Sequence, residues 1–394
     1  MAEVPHGPEA AKAPSASPSP TTTPEPPPPA GMSGLGGPRL GQPGVQADLP
    51  PGTPALPPVE AYSWLVADMT TGQVIAAKNP HWQLAPASTL KMLFADTVLP
   101  KLDKNATHVV DPKELQGLGE GSSAVGVKEN LTYKVEDLWN GVFLRSGNDA
   151  VHVLCAMNGG VDATVAQMNE RAKALHADDT HVVSPDGYDM PGQVSSAYDL
   201  ALFAREGMKN PDFRGYVSTK DAKFPGKDGT TFAIQNTNQM LSTYPGMIGV
   251  KNGYTTNAEN TFVGAATRDG RTLMVSIMHV RPGKTYEQTK MLLDWGFAAA
   301  GTAKPVGSLV DPGGKPGGTP SGTTASGQTL PGQAAAVPGG AQAVGSSSGD
   351  GVSWGLWAGI GVPAVLLGGG GLLFFLRRRG LTRPTVHFED DILP

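Results

Sequence analysis

The chain has 394 residues, enough for one large domain or two ordinary ones, but its 52 glycines and 36 prolines gather toward the two ends and leave only the middle composed like a packed domain. A formal net charge of −5, with no basic stripe in that middle, argues against nucleic acid as a partner. One cysteine, Cys155, excludes an intramolecular disulfide, and its apolar run "AVHVLCAM" marks it as a small buried residue rather than a reactive thiol.

Residues 1–55, with "SPSPTTTPEPPPP", are too poor in apolar side chains to offset the entropy of ordering, which predicts disorder with polyproline II character. No apolar signal-peptide core appears in this segment. Residues 56–303 have a different texture. "AYSWLVADM" and "QVIAAKN" read as two strands joined by a tight turn at "TTG". "STLKMLFADTVLPKL" places Leu90, Leu93, Phe94 and Val98 at helical spacing. "TYKVEDLWNGVFLRSGNDAVHVLCAMNGG" reads as a helix, a short loop and a second helix stopped by Gly159-Gly160. In "AENTFVGAATRDGRTLMVSIMHV" two apolar runs flank Asp269-Gly270, a strong hairpin signal. "TYEQTKMLLDWGF" closes the domain as an amphipathic helix. Strands, then helices, then a hairpin and a last helix predict an α+β domain whose antiparallel sheet gathers strands from both ends of the sequence.

Residues 304–351, rich in Gly, Pro, Ser and Thr, read as a flexible linker with a span of about 35–40 Å. A membrane helix is predicted at 352–376, because "WGLWAGIGVPAVLLGGGGLLFFL" carries no charge. Trp354 and Trp357 sit at one end of it and Arg377-Arg378-Arg379 at the other. A buried core helix is the competing reading, but four consecutive glycines pack poorly in a soluble core. The arginines predict residues 377–394 as a cytoplasmic tail and everything before the span as extracytoplasmic.

Three stretches bear chemistry. Ser88 and Lys91 are three apart at a helix start, so hydroxyl, amine and an unused backbone N–H converge there. A neutral lysine can activate a serine, although the same pair is also an N-cap with a solvated lysine. Ser146, Gly147 and Asn148 fall in the loop between two helices, where a hydroxyl can relay a proton and a carboxamide can hold a carbonyl or the lysine. Alone they read equally as a helix cap. Lys251-Asn252-Gly253 leads into the hairpin. A lysine on an edge strand beside a glycine can hold a carboxylate while a substrate backbone lies along the strand, and Asn-Gly is also a turn signal.

Together and in this order the three stretches resemble Ser-x-x-Lys, Ser-x-Asn and Lys-Thr-Gly of penicillin-binding proteins and serine β-lactamases. "PASTLKM", "SPDGYDMPGQVSSAYDLALFAR", "VKNGYTTNAENTFVGAATRDG" and "LLDWGF" are most similar to low-molecular-mass D-alanyl-D-alanine carboxypeptidases of the peptidase S11 type, in an actinobacterial style. The resemblance covers about residues 57–300 and implies the β-lactamase/DD-peptidase fold, an antiparallel sheet flanked by helices. It implies that Ser88 attacks the bond between two D-alanines of a peptidoglycan stem peptide, with Lys91 as base and Ser146 as relay to the leaving D-alanine. Asn148 would orient the substrate amide, Lys251 and Asn252 would hold the terminal carboxylate, Gly253 would leave room for the substrate backbone, and the N–H groups of Ser88 and Tyr254 would form the oxyanion hole. Burial and the Lys251 cation are expected to lower the pKa of Lys91. β-Lactams would acylate Ser88 covalently. No cofactor or metal is implied; the histidines lack spacing such as His-Glu-x-x-His, and His152 reads as structural.

Two features depart from the family. Asn252 stands where threonine is usual, which predicts altered affinity rather than lost reaction. The leader expected of an exported enzyme is not visible, and no Leu-Pro-x-Thr-Gly sorting pattern precedes the predicted anchor. A β-lactamase of the same fold is the nearest rival, but the Glu-x-x-Leu-Asn pattern of a deacylating loop is missing after the second stretch. A DD-endopeptidase acting on cross-links and an inactive wall-binding module are also compatible with the sequence, although all three stretches hold competent side chains, which argues against the inactive module.

Overall fold

A computed structural model describes residues 26–313. The predicted membrane helix, the cytoplasmic tail, most of the linker and residues 1–25 lie outside the described residues. Among the described residues no helix is long and apolar enough to cross a membrane.

Strands β1 (Val45–Ala47), β2 (Ser63–Asp68) and β3 (Gln73–Lys78) come first. A 3-10 turn (Ala87–Leu90) runs into helix α1 (Lys91–Val98), and strands β4 (Thr107–Val109) and β5 (Thr132–Lys134) form a small separate pair. Helices α2 (Val135–Leu144), α3 (Asn148–Met157), α4 (Val161–Ala174), α5 (Ala197–Gly207) and α6 (Pro211–Ser218) follow. Strands β6 (Asp221–Pro225) and β7 (Thr231–Gln235) make a hairpin, and a short helix α7 (Met240–Thr243) leads to β8 (Met247–Thr255). The chain then returns through β9 (Glu259–Arg268), β10 (Arg271–Val280), α8 (Thr285–Ala299) and β11 (Gly307–Ser308). The main sheet is antiparallel in the order β1-β3-β2-β10-β9-β8, with β11 also paired to β3. Both ends of the domain therefore share one edge, and β8 is the other.

The expected first hairpin forms because Asp68 Oδ1 accepts from the N–H groups of Thr70 and Thr71 and Gly72 takes φ 75°, which reverses the chain at "TTG". Every residue of β2 is buried, and its side chains alternate between two cores. Leu65 and Ala67 face the helical layer with Leu93, Phe94, Leu200 and Phe203, while Trp64 and Val66 face Leu292 and Trp295 of α8. The sheet is thus covered on both faces, and the β9–β10 hairpin turns at Asp269-Gly270 as predicted.

Helix α1 is the exception to simple amphipathicity. Seven of its eight residues, Lys91 among them, are buried, so it threads the core rather than covering it. The predicted helix through "STLKMLFADTVLPKL" is also shorter than expected. It ends at Val98 and tightens into a 3-10 turn at Leu99–Lys101, where Pro100 cannot donate to the ladder. "TYK", expected to open a helix, is strand β5.

Two domain boundaries need correction. The disorder expected of residues 1–55 fails for the second half of that stretch, which belongs to the domain. Leu40 is fully buried, β1 pairs with β3, Gly44 N–H donates to Asn79 Oδ1, and Arg39 Nη2 donates to the Ala47 carbonyl. Composition averaged over 55 residues hides a single apolar anchor and a few backbone hydrogen bonds. The domain also runs past the expected end at 303: Val306 and Leu309 are buried and β11 joins the sheet.

Candidate active site

Ser88 sits in the 3-10 turn before α1, in the first turn, where its N–H has no intrahelical acceptor. Two threonines fasten this turn from different parts of the chain: the hydroxyls of Thr89 and Thr261 both donate to the Pro86 carbonyl, at 2.5 and 2.9 Å. Two glycines let backbone close around it. A Cβ on Gly187 (φ 83°) would lie 2.0 Å from the Ala87 carbonyl oxygen, and one on Gly253 would lie 2.7 Å from Ser88 N. Ser88 is therefore clamped between the loop at 186–188 and edge strand β8.

Lys91, the first residue of α1, directs its amine into this clamp. Its Nζ lies 2.8 Å from Ser88 Oγ and donates to Asn148 Oδ1 at 2.7 Å and to the Asp186 carbonyl at 2.6 Å. The side chain is completely buried. Burial pulls the Lys91 amine down to about 8, against the pull of Asp186 and Asp149, whose negative charges favour the protonated form. Of the two expected causes, burial is the one that acts on Lys91, and Lys251 is not among the charges that shift it. Lys251 is itself held well below the ordinary lysine range, first by burial and then by the nearby Lys91 charge. Two buried amines thus disfavour double protonation, and desolvation is the main cause for each.

The second stretch divides. Asn148 is the first residue of α3, not a loop residue, and its carboxamide reaches Lys91. Gly147 caps that helix. Ser146 takes φ 57° and is buried, but its Oγ has no hydrogen-bond partner among the described residues.

The third stretch lies on β8, at the free edge of the sheet. Lys251 Nζ donates to the Asn252 carbonyl at 2.7 Å. The Thr237 hydroxyl donates to Asn252 Oδ1 at 3.0 Å, which turns the amide NH2 of Asn252 away from Thr237. Tyr254 is 62 % exposed on the rim. A cavity of about 240 Å³ opens beside Ser88, lined also by Asn148, Ser123, Tyr188, Tyr254 and Thr255 among others. All three predicted stretches meet at this one place. Asp186, Asp149 and Thr237 also shape the site, and no motif in the sequence marks them. The Asp186-Gly187 turn signal is visible within "SPDGYDMPG", but only the folded chain brings that carbonyl to Lys91.

A family model described as D-alanyl-D-alanine carboxypeptidase, peptidase S11, matches residues 51–281. Among curated proteins, D-alanyl-D-alanine carboxypeptidase DacB2 of Mycobacterium tuberculosis is 42% identical over 272 residues, covering 67% of this chain and 92% of that one. D-alanyl-D-alanine carboxypeptidase DacD of Escherichia coli is 33% identical over 268 residues, covering 64% and 67%. Among solved structures, a D-alanyl-D-alanine carboxypeptidase from Mycobacterium tuberculosis superposes with a TM-score of 0.62 at 42% identity, covering 66% of this chain and 99% of that one. The Streptomyces K15 DD-transpeptidase superposes with a TM-score of 0.60 at 27% identity, covering 62% and 100%.

Proposed function

This chain belongs to the D-alanyl-D-alanine carboxypeptidase family, peptidase S11, and from that premise we propose that Ser88 is the nucleophile with which it removes the terminal D-alanine of peptidoglycan stem peptides. The antiparallel sheet flanked by helices is the DD-peptidase fold, and the enzyme is a hydrolase of the penicillin-binding family. The observation that carries the residue assignment is the fully buried Lys91 amine 2.8 Å from the Ser88 hydroxyl.

A neutral Lys91 keeps two N–H bonds for Asn148 and the Asp186 carbonyl and aims its lone pair at the third neighbour, the Ser88 hydroxyl. It takes the Ser88 proton as Oγ attacks the carbonyl carbon between the two D-alanines. The oxyanion is received by the N–H groups of Ser88 and Tyr254, worth about 3–4 kcal/mol each. The Gly253 backbone, which leaves no room for a Cβ beside Ser88 N, supports that pairing. Ser146, with its unused hydroxyl, passes the proton to the departing D-alanine nitrogen, and the C–N bond breaks to leave an ester on Ser88. Water then hydrolyses the ester and restores the hydroxyl. Lys251 and the amide NH2 of Asn252 hold the terminal carboxylate, whose charge favours the protonated form of Lys251.

Treatment with a penicillin is expected to add one intact drug molecule, on the peptide that contains Ser88, with release over minutes to hours; intact-protein and peptide mass spectrometry read both. A label on another residue overturns the assignment, and release in seconds would mark a β-lactamase instead.

The same reading puts residues 352–376 across the membrane, the catalytic domain outside and residues 377–394 in the cytoplasm, on the strength of the uncharged run and its flanking tryptophans and arginines. The full chain is expected in the membrane fraction and a chain lacking residues 352–394 in the soluble fraction. A membrane-bound truncated chain would refute the anchor.

A further inference from the structure

The carboxylate next to the second stretch has no part in the scheme above, yet it is among the most fully engaged in the described structure. Asp149 is buried in the first turn of α3. Its Oδ1 accepts from the N–H groups of Val125 (3.0 Å) and Ala150 (2.9 Å), and its Oδ2 from those of Gly126 and Val127 (both 2.8 Å). Three of these four donors belong to one strap, residues 122–127, that crosses the start of the helix. The strap is stitched a second time where Asn148 N–H donates to the Ser123 carbonyl at 2.8 Å. Ser122 and Ser123, at its upstream end, are walls of the cavity that holds Ser88.

This arrangement explains why the middle residue of Ser146-Gly147-Asn148 is glycine. A Cβ there would stand 2.7 Å from Asp149 Oδ1 and 3.0 Å from Val125 N. Gly126 is required for a separate reason: its φ of 105° is open only to glycine. The second stretch is therefore a docking point for the strap as well as a source of side chains.

Resting on the functional reading above, we propose that Asp149 is a positioning residue for acylation: it fastens the 122–127 strap that walls the substrate cavity, and its negative charge acts on the base Lys91 from the same helix end. The charged and titratable groups around that amine are Asp149 and His152 from α3, Asp186 from the loop before α5 and Lys251 from β8. His152 Nε2 is 3.8 Å from Asp186 Oδ2. Asp149 and Asp186 favour the ammonium form of Lys91, whereas burial opposes it. Removing the Asp149 charge therefore makes Lys91 easier to deprotonate. The acid limb of kcat/KM, which reports the free enzyme's base, moves to lower pH.

Two variants of the full-length enzyme separate the two roles. Asp149→Asn loses the charge, and either orientation of its amide sets an NH2 against two backbone N–H donors, so the strap is loosened too. Gly126→Ala keeps the charge and strains only the strap. With a D-alanyl-D-alanine peptide as substrate, D149N is expected to shift the acid limb down by about 0.5 pH unit or more and to raise KM at least about threefold. G126A is expected to raise KM similarly with the acid limb unmoved. A folded D149N whose acid limb coincides with the wild type overturns the proposal. So does a G126A enzyme with wild-type KM, which keeps the test decisive where D149N does not fold. A wild-type enzyme that released no D-alanine would instead sink the functional reading itself.

Discussion

Ser88→Ala lowers D-alanine release by about 10³-fold or more and abolishes covalent penicillin labelling, while the thermal unfolding midpoint stays near that of the wild type. The size follows from the site. The lost oxygen is the nucleophile, and no other hydroxyl is hydrogen-bonded to the Lys91 amine among the described residues: Nζ bonds Ser88 Oγ, Asn148 Oδ1 and the Asp186 carbonyl. The small structural effect follows from the clamp. The side-chain hydroxyls of Thr89 and Thr261 hold the turn at 87–90 by donating to the Pro86 carbonyl, so the Ser88 hydroxyl is not needed for its shape. D-Alanine release and fluorescent penicillin labelling check this directly. Labelling that survives in the variant would show that Ser88 is not the acylated residue.

Lys91→Met costs about 10²–10⁴-fold in acylation rate and flattens its pH dependence. In the wild type the acylating form carries a neutral Lys91, and burial brings that amine to about 8. Protonation below that pH withdraws the lone pair, so kcat/KM rises as pH increases through about 8 and levels off above it. The variant has no such group and loses the inflection. Methionine keeps most of the buried volume, which separates loss of the base from loss of packing around a fully buried side chain. Stopped-flow acylation across pH measures both enzymes. A wild-type rate that falls as pH rises through this range would rule out Lys91 as the base.

Much of the frame is legible in the sequence because it rests on local rules. The Asp269-Gly270 hairpin, the two strands around "TTG" and the closing helix are set by turn chemistry, by short continuous apolar runs in the strands and by helical spacing in the helix, which short stretches of sequence display. The misses have physical causes. Helix α1 is buried on nearly all sides, so its apolar stripe understates its role. Residues 26–55 read as disordered because one buried leucine and one short edge strand weigh little in a proline-rich average, although they complete the sheet at β3. Strand β5 reads as helix because a three-residue strand has no period to display.

The site divides in the same way. The sequence by itself determined which side chains are chemically competent and in what order they occur: Ser88 and Lys91 one helical turn apart, Ser146 and Asn148 around a glycine, Lys251 and Asn252 before another. Only the tertiary structure decided that Asn148 and the Asp186 carbonyl receive the Lys91 amine, that Ser146 keeps an unspent hydroxyl, and that Asp149 binds a strap instead of solvent. The reason is that desolvation, Coulomb attraction and hydrogen bonding depend on distance in space. A lysine becomes a base only where water is excluded and its neighbours are fixed, and here those neighbours come from distant parts of the chain.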